Sequence, residues 1–80
     1  MLRIMLFAGA RQSVGDPQIE IPWADGQTVA MLKQTLSDLY PSLRPLLPRL
    51  LVAINNEYAS DNTTIHSNDE VACFPPVSGG

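Results

Sequence analysis

The chain reads as an α+β domain in which a mixed sheet of four to five strands carries one main helix packed on one face. Three observations lead there: short β-prone runs, a single longer stretch with apolar residues at helical spacing, and Pro and Gly punctuation separating each run from the next. A chain of 80 residues has room for one core only, since a domain this small buries little more than ~60% of its unfolded surface. Such a domain builds a shallow pocket at most, so chemistry that needs a deep cleft has to come from a partner.

Residues 2–8 form the first β-prone run, with Ile4, Leu6 and Ala8 on one face and Arg3, Met5 and Phe7 on the other. Gly9 ends it, and residues 10–14 suit one helical turn before Gly15-Asp16-Pro17. Gln18-Ile19-Glu20-Ile21 then alternates as a half-buried strand should, is closed by Pro22, and lies near enough to the first run to pair with it antiparallel. Thr28 is a suitable N-cap for the main helix, on which Val29, Leu32, Leu36, Leu39 and Tyr40 make an apolar stripe until Pro41 stops it. Prolines at 41, 45 and 48 forbid a long regular helix and predict a packed loop or a short 3₁₀ turn. Leu51-Val52-Ala53-Ile54 reads as a buried strand, Asn55-Asn56 as a tight turn of residues that tolerate positive φ, and Glu57-Tyr58-Ala59 as a short strand. A second turn at Asn68-Asp69 leads to the last strand, residues 70–74, which Pro75-Pro76 terminates because neither proline can donate to a ladder. This order predicts a β-grasp, ubiquitin-like arrangement, with the first and last long strands parallel and adjacent at the centre of the sheet. The domain is expected to span residues 1–76, with residues 77–80 a flexible tail ending in Gly-Gly.

The bulk properties exclude several classes of function. A hydrophobic content of 45% with 16% charged residues is that of a folded domain rather than a disordered segment. The formal charge is -3, and the five cations (Arg3, Arg11, Lys33, Arg44, Arg49) are scattered, whereas nucleic-acid binding needs them clustered. The single cysteine, Cys73, cannot form an internal disulfide, and no run suits a signal peptide or a membrane span. The cytoplasm is the expected compartment, with neither nucleic acid nor membrane among the partners.

The ending is the most informative feature. Glycine loses the most backbone entropy on ordering and buries no side chain, so Gly79 and Gly80 contribute nothing to folding. Without a Cβ on either, Val77-Ser78-Gly79-Gly80 can extend through a narrow channel and leave the last carbonyl open to attack. An α-carboxyl, with a pKa of roughly 3.3 to 3.7, is ionised at neutral pH; it can attack an activated phosphate but is a poor acyl donor until it is itself activated. Two glycines taken alone are equally compatible with a frayed end or an expression remnant.

The run Asp69-Glu70-Val71-Ala72-Cys73-Phe74-Pro75-Pro76-Val77-Ser78-Gly79-Gly80 resembles the C-terminal signature of the MoaD family, the sulfur-carrier subunits of molybdopterin synthase. The resemblance extends to Leu6-Phe7-Ala8 with Arg11, to Thr28-Val29, and to Val52-Ala53-Ile54-Asn55. Asn68 stands where the family often has glycine, and Asn also tolerates left-handed geometry. What the resemblance implies is a cycle in which an ATP-dependent activating enzyme, MoeB-like, adenylates Gly80, a sulfurtransferase system converts the adenylate to a thiocarboxylate, and the tail enters the catalytic large subunit, MoaE-like, to donate sulfur toward the pterin dithiolene. Gly80 is then the covalent site, Gly79 the clearance residue, and Pro75, Pro76, Val77 and Ser78 the spacer. The chain is by itself not an enzyme; it binds no cofactor or metal, ATP is used by the activating enzyme, and a heterotetramer with the large subunit is implied. The alternatives are a thiocarboxylate donor for thiamin, cysteine or tRNA thiolation, and a protein modifier that forms isopeptide bonds through Gly80.

Strand parity adds a second candidate site. If Ile4, Leu6, Val71 and Cys73 point to the helix, Phe7 and Phe74 point away from it on adjacent strands, and Tyr58 can join them in an apolar patch near the tail. That patch is read as a partner-docking face. The same parity puts Cys73 in the core as a small hydrophobe rather than a persulfide carrier. His66 has no second His or Cys at metal-ligand spacing and reads as a surface loop residue, Asp69-Glu70 as a turn former, and Trp23 as packing.

Overall fold

Alternation governs the first strand, β1 (Leu2–Leu6), where Leu2, Ile4 and Leu6 are buried and Arg3 and Met5 are exposed. The structure, a computed structural model, describes residues 1–76. The strand stops two residues before the end of its apolar run. Phe7 is the extended N-cap of a short helix, α1 (Ala8–Val14), and Ala8 turns the chain with a φ of 51°. The expectation that Ala8 continues the strand toward the core is therefore corrected, and Ala10 is the residue of α1 that is buried. Helix α1 is longer than the single turn expected and ends at Gly15 with φ 86°, a left-handed C-cap that glycine adopts without a Cβ penalty.

β2 (Gln18–Ile21) pairs antiparallel with β1 in the register Leu2 with Ile21 and Ile4 with Ile19, which puts both isoleucines on the buried face. The main helix, α2 (Val29–Leu39), begins as expected at Thr28, whose Oγ1 accepts from the Met31 N–H at 3.3 Å. Two further N–H groups of the first turn, those of Val29 and Ala30, donate to the carbonyls of Thr63 and Asp61, each at 3.0 Å. A distant loop thus satisfies donors that the helix cannot. Val29, Leu32 and Leu36 are buried, but Leu39 is exposed, a correction to the predicted stripe. Pro41 opens the first of two 3₁₀ turns (Pro41–Leu43 and Leu47–Arg49), and Leu43 is fully buried while Tyr40 packs on the core edge; these two close the helix end where Leu39 was expected.

β3 (Leu51–Ile54) and β4 (Glu57–Tyr58) are joined by Asn55 at φ 53° and Asn56 at φ 70°, the tight turn that the Asn-Asn pair predicts. Ala59 lies beyond β4, and β5 (Val71–Phe74) begins one residue later than expected. The turn at Ser67-Asn68 is made with no positive φ at Asn68, so left-handed geometry is not what Asn68 supplies there.

The sheet has the order β2-β1-β5-β3-β4, with β1 and β5 parallel at its centre and the other pairs antiparallel. Leu2, Ile4, Leu6, Val52, Val71 and Cys73 form one core with Val29, Leu32 and Leu36 of α2. This is the β-grasp architecture. Trp23 closes an edge of the core and donates its indole N–H to the Ile65 carbonyl at 3.0 Å, the packing role expected of it.

Candidate functional site

The central parallel pair positions the site. Because Ile4 lies opposite Val71 and Leu6 opposite Cys73, Phe7, just beyond β1, comes beside Phe74, the last residue of β5. A hydrogen bond from the Phe7 N–H to the Cys73 carbonyl at 3.1 Å holds that end of the pair together. The two rings meet edge to face, with centroids 6.5 Å apart and an interplanar angle of 78°. On the other side, the β3–β4 hairpin carries Tyr58 over Phe74, with centroids 5.8 Å apart and a tilt of 55°. Both distances fall in the range where aromatic pairs attract beyond simple area burial. All three rings expected on the open face are thus in one cluster, with Tyr58 75% and Phe7 46% exposed and Phe74 half-buried between them. Met5, on the same face of β1 and 47% exposed, joins them in lining a shallow concavity that Glu70 and Asn56 also border.

A hydrogen-bond clamp fixes the rim of this concavity. The Asn55 N–H donates to the Glu70 carbonyl at 2.8 Å, and its side-chain oxygen accepts from the Glu70 N–H at 3.0 Å. The Asn55 amide group donates to Asp69 Oδ1 at 2.9 Å, while Asp69 Oδ2 accepts from the His66 N–H at 2.7 Å. The His66 backbone donor first, and the Asn55 amide with it, hold the Asp69 carboxyl below its ordinary value of 3.8 against the opposing pull of partial burial. Asp69 therefore shapes the turn into β5, as its position suggested. The part played by Asn55 was not read from the sequence, since an Asn in a tight turn signals only backbone tolerance and its side-chain partners lie in a distant loop.

The base of the tail is built from another quarter. Pro75 and Pro76 line a groove with Pro45, Leu46, Pro48 and Arg49, so the 3₁₀ segment flanks the point where β5 ends. A Cβ on Gly9 would lie 3.6 Å from Pro75 Cγ and 3.8 Å from Leu46 Cδ1, which brings the start of α1 to the same place. No local signal marks residues 45–49 for this position. Val77, Ser78, Gly79 and Gly80 lie outside the described residues.

Cys73 and His66 lie apart from the ring cluster. Cys73 is fully buried, and burial pushes its thiol up to about 12, far from the ionisation a persulfide carrier needs. His66 is an exposed loop residue with Nδ1 3.5 Å from Asp69 Oδ2. Among the described residues no group of three His, Cys, Asp or Glu side chains is placed to hold a metal, and no helix is long and apolar enough to cross a membrane.

Comparison with known proteins finds sulfur carriers similar in sequence and a modifier protein similar in fold. The sequence model of the ThiS family matches residues 4–80. The molybdopterin synthase sulfur carrier subunit of Dictyostelium discoideum is 40% identical over 98% of this chain and 94% of its own, and that of Escherichia coli is 35% identical over the whole of both. The crystal structure of SAMP1 from Haloferax volcanii superposes with a TM-score of 0.85 at 26% identity, covering 99% of this chain and 98% of the other.

Proposed function

This chain belongs to the ThiS family, among relatives that are sulfur carrier subunits of molybdopterin synthase, and from that premise we propose that it carries sulfur as a thiocarboxylate on Gly80 for the synthesis of molybdopterin. The observation that carries this reading is likeness to the sulfur carrier subunits over nearly the full length of both chains. Residues 1–76 act as the handle and residues 77–80 as the tail that reaches into a partner.

The chemistry follows from the terminal carboxylate. An activating enzyme uses ATP to convert the Gly80 carboxylate to an acyl adenylate, releasing pyrophosphate. A sulfur nucleophile displaces AMP to leave a thiocarboxylate, whose sulfur is then delivered to the pterin precursor in the large catalytic subunit. Gly79 and Gly80 present no Cβ to the walls of the partner's channel, and Pro75, Pro76, Val77 and Ser78 set the reach. The Phe7, Tyr58 and Phe74 cluster is the docking face, supported by an aromatic group left open on the sheet beside the base of the tail. The chain contributes the sulfur and the large subunit the catalysis.

Intact-mass measurement tests the central step. After incubation with activating enzyme, ATP and a sulfur source, the chain is expected to gain the mass difference between sulfur and oxygen, and a chain lacking Gly80 is expected to gain nothing. An unchanged mass in the full chain sinks the proposal.

The likeness to SAMP1, whose name is small archaeal modifier protein 1, favours one further reading: a modifier joined through Gly80 to lysines of other proteins. Lysine conjugates that vanish on deletion of Gly80 would establish it. A donor for thiamin or tRNA thiolation would use the same thiocarboxylate and is separated by rescue of a thiamin-deficient rather than a molybdopterin-deficient strain.

A further inference from the structure

We propose that the concavity between Tyr58, Phe74 and Glu70 receives an arginine side chain of the docking partner, with Glu70 as its counter-ion. The inference rests on the docking-face reading above and specifies the chemistry of what docks. Glu70 shares the parity of Ala72 and Phe74, so its side chain belongs to the open face, and it borders the concavity with Met5, Tyr58 and Phe74. Its backbone is pinned on both sides by Asn55, at 2.8 Å and 3.0 Å, so the side chain leaves the rim from a fixed Cα. Among the described residues no cation pairs with the Glu70 charge: the Lys33 ammonium is paired with Asp61, and the His66 ring lies near Asp69. Arg3, the nearest cation along β1, lies opposite Glu20 in the β1–β2 pair and forms no ion pair with Glu70.

A carboxylate bordering the same concavity as an exposed tyrosine ring and a half-buried phenylalanine ring has the composition of a guanidinium site. The planar cation lies flat against an aromatic face while its N–H fork pairs with the carboxylate, and being weakly hydrated it loses less than an ammonium group on entering an apolar cleft. A purely apolar plug would fill the ring cluster but leave the Glu70 charge at the edge of a dry interface without a partner.

The test is the affinity of the chain for the large subunit of molybdopterin synthase, measured by calorimetry at two salt concentrations for the wild type, Glu70→Gln, Glu70→Asp and Phe74→Ala. Glu70→Gln is expected to weaken binding about tenfold and to flatten its salt dependence, while Glu70→Asp keeps the salt dependence and part of the affinity. Treating the large subunit with an arginine-selective dicarbonyl reagent is expected to erase the difference between wild type and Glu70→Gln. The proposal is overturned if Glu70→Gln binds with wild-type affinity, if its salt dependence is unchanged, or if the difference survives arginine modification. Phe74→Ala separates the two levels: weakened binding there with an indifferent Glu70→Gln removes only the arginine, whereas wild-type binding by Phe74→Ala removes the docking face as well.

Discussion

The two faces of the sheet differ in kind, and β5 shows it within one pair of neighbours. Cys73 is fully buried among aliphatic side chains beneath α2, while Phe74, the next residue, is half-buried between two exposed rings on the open side. The covered face is aliphatic and closed; the open face is aromatic and unfinished. Successive side chains of a strand point to opposite sides, so one short strand can hold the fold together with alternate residues and present a surface with the others. The division separates stability from recognition, and it can be broken experimentally.

The largest effect belongs to the covered face. Ile4→Ala, deep in the core, is expected to cost about 2–5 kcal/mol of stability, read as a shift in the denaturant midpoint, with docking lost only as far as the fold is lost. A folded variant with wild-type stability would refute the division. On the open face, Phe74→Ala is expected to weaken partner binding by more than about 1 kcal/mol while lowering stability less than Ile4→Ala does; a variant that melts as early as Ile4→Ala yet binds normally would reverse the roles assigned to the two faces.

A smaller effect sharpens the boundary between the faces. The lowered pKa of Asp69 means that its hydrogen bonds stabilise the fold fully above the unfolded value of 3.8, and that this contribution is lost as pH falls through the lower folded value. Asp69→Asn is expected to remove that part of the acid sensitivity, checked by comparing unfolding midpoints of the two proteins at neutral pH and in the acid range below 3.8. The smallest effect concerns Cys73. Its buried thiol, pushed up to about 12, is expected to resist alkylation in the native protein at mildly alkaline pH, and Cys73→Val is expected to transfer sulfur as the wild type does. Rapid labelling of the folded chain would show that Cys73 is not closed off as the structure has it.

Much of this was legible beforehand wherever a short-range rule met no competitor. β2 occupies the residues expected of it because Pro17 and Pro22 bracket a clean alternation. Thr28 caps α2, and the Asn55-Asn56 turn has the positive φ values that only a few residue types accept readily. The misreadings fall where packing overrides a local pattern. Ala8 continues an apolar run, yet the docking of α1 takes it out of β1; Leu39 continues the helical stripe, yet Leu43 and Tyr40 cover the end of the helix.

Alternation, capping and proline stops are properties of a few adjacent residues, so the sequence alone determined which strands form, which face of each is apolar, and that a Gly-Gly ending follows the last of them. Strand parity also put Phe7, Tyr58 and Phe74 together on the open face; only the tertiary structure decided how their rings pack, that Asn55 holds Glu70 at their rim, and that residues of the 45–49 segment flank Pro75 and Pro76. Those contacts join segments far apart in the chain, and their geometry comes from the strand register that burial of the aliphatic face selects, which no local preference encodes.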